Sequence, residues 1–249
     1  MKHTMNPTEL RAHLDSNFGG SVELATIKSW IAGTHSPYGR VYQLPREPIP
    51  ELAYLIGANF GDTSRCKNWR HNYTIRLRVK DEDFAREFAR AASVVLGKPC
   101  KVWFDKKRGL WQTDVLSMLL YNLVTKALSD LKAIIIHCSD CVAAFVRGFF
   151  DAEGCANNQG LTASNGNLGL LRYIRNLMAM CFNIEVTGPN KRGPAPGTRV
   201  QIKGRWVRVN LQNYIIRVRN VSLSSFEKHV GFTIGRKREA LRLLVESRG

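Results

Sequence analysis

The chain has 249 residues, enough to bury a sizeable core in one large domain or two small ones. Its apolar fraction of 44% is ordinary for a globular protein, which excludes disorder over most of the chain. The 37 Lys and Arg residues against 20 Asp and Glu residues give a net charge of +17, which favours a polyanionic partner such as nucleic acid. No apolar run reaches the roughly 18 residues that span a bilayer, and the basic residues are spread along the chain, so no membrane partner is expected.

The N-terminus points to an intracellular protein, and the cysteines do not form a metal-site pattern. The N-terminal sequence MKHTMNPTEL lacks an apolar signal core, so we expect a cytoplasmic or nucleoid location in a prokaryote and an organellar one in a eukaryote. Six cysteines are scattered, and Cys138 and Cys141 form the only CxxC. Because no second CxxC or His pair stands at zinc spacing, we interpret these two as ordinary thiols near a helix start.

Residues 1–45 form a segment apart, predicted to hold two short helices. The first, TELRAHLDSN, is capped by Thr8, and the second, VELATIKSWIAG, is capped by Ser21 and stops at Gly33. The stretch TIKSWIAGTHSPYGR resembles the recognition-helix end of helix-turn-helix modules, so both a structural cap and a DNA-binding module remain open. PREPIP (45–50) indicates a stiff linker to the rest of the chain.

From residue 51 the sequence predicts helix, two strands, helix, two strands and helix. The first helix is LAYLIGANFGD (52–62), and the strand Tyr73–Val79 alternates apolar residues with Thr74, Arg76 and Arg78. Its hairpin partner runs through Cys66–Arg70. A helix over 81–96, strands over 101–105 and 110–115 with a basic tip at 106–109, and one helix over 116–131 complete this part.

The same order is predicted again from about residue 140. The helix FVRGFFDAEG (145–154) precedes a hairpin near 155–164 and a helix over about 166–180. Strands start at Ile184, and a long loop is predicted through residues 191–197. After it, polar residues alternate with apolar ones, which predicts another strand with a basic face formed by Arg199, Gln201, Lys203 and Arg205. A strand over 214–219 and a helical region over 223–245 close the chain.

Two helical segments 91 residues apart carry the main functional signal. Each has small residues four positions apart, Gly57 to Gly61 and Gly148 to Ala152, and each then has a carboxylate, Asp62 or Glu153. Small residues at this spacing share one helix face and let two backbones approach closely. If the helices pack through these faces, both acids emerge together and form a metal site suited to phosphodiester cleavage.

LAYLIGANFGD and FVRGFFDAEG resemble the repeated motif of the LAGLIDADG homing endonucleases, and the likeness covers residues from about 50 to 245. The resemblance implies an α+β fold of two pseudo-symmetric αββαββα repeats, 46–136 and 137–249, whose antiparallel sheets form a DNA-binding saddle. It also implies a monomer that recognises a long, asymmetric double-stranded DNA target and cuts both strands with a stagger. The metal site would comprise Asp62 and Glu153 with the preceding Gly61 and Ala152, sharing two or three Mg²⁺ ions with the scissile phosphates.

The basic strand faces and hairpin tips would line the saddle, since Arg and Gln read base edges and tip lysines suit phosphate contacts. The predicted DNA-binding residues are Lys67, Trp69, Arg70, Thr74, Arg76, Arg78, Lys106, Lys107, Arg108, Asn157, Asn158, Lys191, Arg192, Arg199, Gln201, Lys203 and Arg205.

Two further residues near the motifs are assigned provisional roles. Lys80 resembles the position where the family commonly places a catalytic lysine, although a helix-start or phosphate-contact lysine is equally compatible with the sequence. The matching place in the second half is near Asn165, which is not basic. Asp151 precedes Glu153 by two positions and faces elsewhere on the helix, so we assign it to the helix interface or a local hydrogen bond.

Three rival functions are open on this scaffold. An RNA maturase would make intron RNA a partner, and a regulator would bind DNA without cutting; both acids are retained, which favours cleavage. An intein-embedded endonuclease fits less well, because the chain begins at Met1 without a splice-type Cys or Ser and ends without His-Asn. We therefore expect a free-standing or intron-encoded enzyme.

Overall fold

The computed structural model describes residues 6–18, 23–32, 44–67, 73–202 and 204–248, without the side chains of 14–18 and 202. The chain divides into two compact units, residues 1–43 and 44–249. None of the helices within those described ranges is long and apolar enough to cross a membrane.

The first unit contains two helices, α1 (Pro7–Phe18) and α2 (Leu24–Ile31). The predicted cap Thr8 is wrong, because the Asn6 side chain accepts hydrogen bonds from the backbone N–H groups of Thr8 and Glu9. The Glu9 carboxylate in turn accepts from the Asn6 backbone N–H, which completes a capping box. Ser21 and residues 33–43, which carry much of the helix-turn-helix resemblance, lie outside the described residues.

We call the part from α3 to α6 the first repeat. Its elements are α3 (Pro50–Asn59), β1 (Thr63–Lys67), β2 (Tyr73–Val79), α4 (Glu82–Leu96), β3 (Val102–Asp105), β4 (Leu110–Leu116), α5 (Met118–Val124) and α6 (Leu128–Ile135). The strands form an antiparallel sheet in the order β1-β2-β4-β3. On β2, Ile75 and Leu77 are buried on the side of α4, while Arg76 and Arg78 occupy the other face.

The predicted single helix over 116–131 is wrong, because the structure has two helices there. Ser117 caps α5 by accepting a hydrogen bond from the Leu120 N–H, and Leu116 belongs to β4. At the other end of α5, the Val124 carbonyl accepts hydrogen bonds from the side chains of Asn59 and Arg65. Because these side chains supply the hydrogen bonds that a further helical turn would otherwise donate to this carbonyl, the helix can end before α6.

We call the part from α7 to α10 the second repeat. Its elements are α7 (Ser139–Glu153), β5 (Gly154–Asn157), β6 (Gly160–Asn165), α8 (Leu168–Phe182), β7 (Val186–Arg192), β8 (Arg199–Ile202), β9 (Arg205–Arg208), β10 (Asn213–Val218), a 3₁₀ turn (Asn220–Ser222), α9 (Leu223–His229) and α10 (Gly235–Arg248). The main sheet has the order β5-β6-β10-β7, equivalent to that of the first repeat. At the start of α7, Cys138 is the cap, and its sulfur accepts a hydrogen bond from the Cys141 N–H.

The prediction of one strand through Arg199, Gln201, Lys203 and Arg205 is wrong. The chain turns at Gly204, which has φ +79°, and β8 pairs with β9 in a separate two-stranded ribbon. Alternation alone cannot reveal such a turn, because both arms of the ribbon continue the same residue pattern. In its architecture the chain is nevertheless the predicted α+β fold with antiparallel sheets.

Candidate functional site

The centre of the second unit is the contact between helices α3 and α7, where two glycines remove the side chains that would keep the helices apart. A Cβ atom at Gly57 would lie closer than 3.0 Å to the Phe145 carbonyl oxygen. A Cβ at Gly148 would likewise lie closer than 3.0 Å to the Tyr54 carbonyl oxygen. Each glycine therefore packs directly on the backbone of the opposite helix, as the small-residue spacing predicts.

These contacts are reciprocal, which gives the helix pair an approximate two-fold relation. Gly57 lies against Phe145 and the Phe149 N–H, whereas Gly148 lies against Tyr54 and the Ala58 N–H. Corresponding residues are all 91 positions apart in the sequence, and the pairs are Tyr54 and Phe145, Gly57 and Gly148, Ala58 and Phe149, Gly61 and Ala152, and Asp62 and Glu153. The last pair consists of the two acids.

The packing continues to the ends of both helices and brings the acids together. A Cβ at Gly61 would lie 2.5 Å from Cβ of Ala152 and 3.0 Å from Cγ of Glu153, and Asp62 follows Gly61 directly. Desolvation raises the pKa of Asp62. It also raises the pKa of Glu153, and the nearby charge of Asp62 raises that pKa further. The site thus concentrates two like charges in partly desolvated surroundings, an arrangement that a cation would stabilise.

Asn165, at the end of β6, holds Glu153 in place. Its Nδ2 donates to Glu153 Oε1 over 3.1 Å and to the Phe60 carbonyl oxygen over 3.2 Å. One amide group therefore links the second acid to the end of the first motif helix. Asn165 stands near the place that corresponds to Lys80, and its neutral amide group orients the carboxylate of Glu153.

Lys237 on α10 is a functional candidate that the sequence analysis missed. Its side chain is only 6% exposed, and its Nζ donates to the carbonyl oxygens of Phe150 and Asp151 over 3.2 and 2.6 Å. Burial lowers the pKa of Lys237, while the charge of Lys237 lowers the pKa of Asp62 and Glu153. The ammonium group thus sits at the C-terminal end of α7 and favours ionisation of both acids.

A sequence signal for Lys237 does exist. Ile234, Lys237, Leu241 and Leu244 recur at helical spacing, and all four are buried. A lysine on the apolar face of a helix is unusual and indicates a specific partner. That partner lies 86 positions earlier in the chain, so the sequence alone did not identify it.

Lys80 is exposed at the end of β2. Together with Asp62 and Lys237 it lines a cleft of about 260 Å³. The neighbouring Asp81 accepts two hydrogen bonds from Arg236, over 2.6 and 2.8 Å, and the Arg236 guanidinium lowers the pKa of Asp81. Asp81 is thus paired with Arg236, and the exposed Lys80 lies beside it in the lining of the cleft.

Asp151 is only 1% exposed and lies between the two repeats. It accepts hydrogen bonds from Tyr54 Oη over 2.9 Å, from the Thr233 N–H over 3.0 Å and from Thr233 Oγ1 over 2.5 Å. Burial raises the pKa of Asp151 and that of Tyr54. The structure places Asp151 in hydrogen bonds across the helix interface, as the sequence analysis assigned it.

Several predicted DNA-binding residues of the first sheet are tied into a polar network. Arg76 forms a bidentate pair with Asp114 over 2.6 and 2.5 Å, and Gln112 joins Asp114 to Arg78 with hydrogen bonds of 3.1 and 2.8 Å. Thr74, by contrast, is only 6% exposed. The face of the sheet therefore presents pre-oriented arginines, whereas Thr74 contributes little surface.

The remaining predicted residues of the first repeat lie at its outer rim. Lys67 is exposed with its Nζ 5.2 Å from the centre of the Tyr73 ring. At the turn after β3, Arg108 is paired with Asp105 over 2.6 Å, while Lys106 and Lys107 are exposed. Trp69 and Arg70 lie outside the described residues.

In the second repeat the predicted residues are spread over two surfaces. Exposed residues of the main sheet and its hairpin are Asn157, Asn158, Lys191 and Arg192. Arg192 donates to Ser164 Oγ over 3.1 Å. Arg199, Gln201 and Arg205 are exposed on the ribbon, and Lys203 lies outside the described residues.

Residues 140–231 match the family model of the LAGLIDADG-like domain. An uncharacterized protein of Methanocaldococcus jannaschii is 26% identical over 231 residues, covering 91% of this chain and 83% of that protein. Mesophilic variants of the homing endonuclease I-DmoI align with a TM-score of 0.53 at 19% identity, over 73% of this chain and 94% of theirs. I-DmoI in complex with DNA and Ca aligns with a TM-score of 0.55 at 17% identity, over 78% of this chain and 97% of its own. The second repeat thus matches the LAGLIDADG-like domain, and the chain shares the fold of I-DmoI, with both motif helices in one polypeptide.

Proposed function

We propose that this chain is a site-specific double-stranded DNA endonuclease that makes a metal-dependent, staggered double-strand break in a long asymmetric target. The observation that carries the proposal is the reciprocal glycine contact, which brings Asp62 and Glu153 together from two repeats. A site built from two symmetric halves suits a substrate with two strands. The net charge of +17 and the likeness in fold to a homing endonuclease solved with DNA support the same function.

The donor set fits a hard divalent cation such as Mg²⁺. Asp62 and Glu153 supply carboxylate oxygens, and Gly61 and Ala152 precede them with backbone carbonyls. No cluster of three or more His, Cys, Asp or Glu residues able to hold a metal occurs in the described ranges. Water and phosphate oxygens would complete the shell around the two carboxylates. Mg²⁺ keeps several waters and binds through one or two carboxylates, which matches this set. When bound, such ions polarise the scissile phosphate and activate water for hydrolysis.

The residues around the acids have distinct tasks in this proposal. Asn165 fixes the orientation of Glu153 through its 3.1 Å hydrogen bond. Lys237 lies close to both acids, and its charge lowers their pKa values against the rise that burial causes. Lys80, exposed at the mouth of the cleft, is suited to contact a phosphate oxygen.

The sheet faces would contact the DNA on both sides of this centre. The network from Arg76 to Arg78 holds two guanidinium groups in fixed positions, which suits recognition of base edges in the major groove. Side chains differ between the two sheets, so the two half-sites should differ in sequence. Because both motif helices lie in one chain, a monomer can complete the site.

The test is cleavage of a randomised pool of duplex DNA, with Mg²⁺ and with EDTA, followed by sequencing of the new ends. Wild-type protein should cut one sequence class on both strands with a fixed stagger, and only with the metal. Asp62→Asn and Glu153→Gln should abolish cutting while leaving DNA binding intact. Binding without cutting by all three proteins would contradict the proposal and favour a regulator or an RNA maturase, which structured intron RNA would then distinguish.

A further inference from the structure

Helix α7 begins with two cysteines whose side chains are in contact. The sulfur atoms of Cys138 and Cys141 lie 3.1 Å apart, about 1 Å more than the length of a disulfide bond. Cys138 is the N-cap of the helix, and Cys141 is its third residue. Residues three apart in a helix lie on the same side of it, so the two sulfurs need only a small movement to form a bond.

The two thiols differ in their access to solvent. Cys138 is exposed, whereas the exposed fraction of Cys141 is 0%. Burial raises the pKa of the Cys141 thiol, and its contact with Cys138 raises that pKa further. A dissolved reagent can therefore reach Cys138 directly, while Cys141 is reached through the sulfur of Cys138. An accessible thiol beside a second, sheltered one is the arrangement of an attacking and a resolving cysteine.

The start of α7 also provides a backbone donor to the exposed sulfur. The Cys141 N–H donates a hydrogen bond to the Cys138 sulfur over 3.3 Å. Helix N-termini stabilise negatively charged sulfur, and the thiolate is the nucleophile of disulfide exchange. Cys181 is also exposed but lies in the last turn of α8, at the opposite kind of helix end. The chain thus contains its own comparison for the effect of helix position.

This pair of thiols is separate from the two acids. Cys141 and Glu153 are twelve residues apart on the same helix, which corresponds to about 18 Å along its axis. In the part of the chain that the structure describes, no third His, Cys, Asp or Glu joins the two thiols in a group that could hold a metal. The pair is therefore better suited to thiol chemistry than to metal binding.

We propose that Cys138 and Cys141 form a reversible dithiol–disulfide pair that low-molecular-weight disulfides oxidise. The Cys138 thiolate attacks one sulfur of the small disulfide, whose S–S bond breaks and releases one small thiolate. The Cys141 sulfur, on losing its proton, then attacks Cys138 in the mixed disulfide, and the second small thiolate leaves. Two protein thiols are thus oxidised to one disulfide, and one small disulfide is reduced to two thiols, which take up the two protons.

The bond would have two consequences for the chain. It joins the N-cap of α7 to the third helical residue, so it closes the first turn of the helix that carries Glu153 at its other end. It also removes the accessible thiol, which a strong oxidant would otherwise convert irreversibly to a sulfinic or sulfonic acid. Reduction by small thiols reverses both effects.

The experiment equilibrates the full chain, without DNA or metal, in buffers with increasing ratios of oxidised to reduced glutathione. After an acid quench, free thiols are labelled with N-ethylmaleimide in denaturant, and the protein is digested with trypsin. Residues 133–147 form one tryptic peptide, which contains Cys138, Cys141 and no other cysteine. As the buffer becomes more oxidising, this peptide should lose both labels together and become two hydrogen atoms lighter than the dithiol, while Cys181 still carries its label.

Two variants separate the roles of the thiols. Cys141→Ser should accumulate glutathione on Cys138, because the resolving thiol is missing. Cys138→Ser should leave Cys141 unmodified, because the buried thiol is no longer reached through its neighbour. Circular dichroism checks that each variant folds, and the wild-type result decides the question by itself if either does not.

Two wild-type results would overturn the proposal. One is a peptide 133–147 that remains a dithiol in buffers that load Cys181 with glutathione. The other is glutathione that persists on Cys138 although Cys141 is present. Because no step of the measurement involves DNA or cleavage, failure of the proposed nuclease function would leave the outcome for the thiol pair unaffected.

Discussion

Gly148→Ala is the most informative perturbation of this fold, since it adds one methyl group at the centre of the α3–α7 contact. The new Cβ would lie 3.0 Å from the Ala58 nitrogen and 3.1 Å from the Tyr54 carbonyl carbon, and closer still to the Tyr54 oxygen. All three are backbone atoms, so no side chain can rotate to make room. The two helices must move apart instead.

The cost follows from the overlap. Forced overpacking of a well-packed interior costs about 1–3 kcal/mol, and the upper end applies where only backbone is available to yield. For a unit of this size, each kcal/mol lowers Tm by about 2–4 °C, so we expect a loss of about 6–12 °C. Since the same helices carry Asp62 and Glu153, cleavage should fall as well.

A matched control is Gly169→Ala on helix α8. There the added Cβ meets only Asn167 Oδ1 at 3.4 Å, which is ordinary contact. Glycine to alanine in a helix without steric conflict is neutral or stabilises by up to about 1 kcal/mol. Urea denaturation followed by circular dichroism measures both variants. If Gly148→Ala were as stable as Gly169→Ala, the close helix contact would be refuted.

Three further predictions concern the site. Gly61→Ala places a methyl group 2.5 Å from Cβ of Ala152 and 3.0 Å from Cγ of Glu153, so the two acids must move apart and single-turnover cleavage should drop, together with the free energy of unfolding in urea; unchanged cleavage would contradict the contact. Lys237→Met keeps an unbranched side chain one atom shorter and removes its charge, so we expect cleavage to fall about 10²-fold with DNA affinity nearly unchanged, measured on one target; equal losses in both would instead indicate a structural role. Tyr54→Phe removes one of the hydrogen bonds to Asp151 and should cost about 1–2 kcal/mol of unfolding free energy, with an unaltered free energy as the contradicting result.

Those parts of the fold whose determining interactions are local or repeated could be predicted from the sequence. Small residues four apart placed Gly57 and Gly148 on the faces that meet, and strict alternation over Tyr73–Val79 gave β2 with its basic face. Two copies of one pattern also constrained each other. The acid at the end of one motif helix, Asp62, identified the corresponding acid of the other, Glu153.

Local structure that depends on a partner far away in the chain could not be predicted from the sequence. The break between α5 and α6 depends on Asn59, which bonds the Val124 carbonyl from 65 positions away. The role of Lys237 depends on the end of α7, 86 positions earlier in the chain. The bidentate pair of Arg76 with Asp114 likewise joins two strands that adjoin only in the folded sheet. None of these pairings produces a periodic pattern in the sequence that could predict it.

The central claim is that Asp62 and Glu153 together hold a divalent metal. Iron-directed cleavage of the polypeptide tests it without requiring nuclease activity: Fe²⁺ replaces Mg²⁺ in the complex with duplex DNA, and ascorbate with peroxide then generates radicals at the bound ion. We predict backbone cuts near residues 62 and 153 that excess Mg²⁺ suppresses and that Asp62→Asn or Glu153→Gln removes. Cuts elsewhere, or cuts that persist in both variants, would contradict the account.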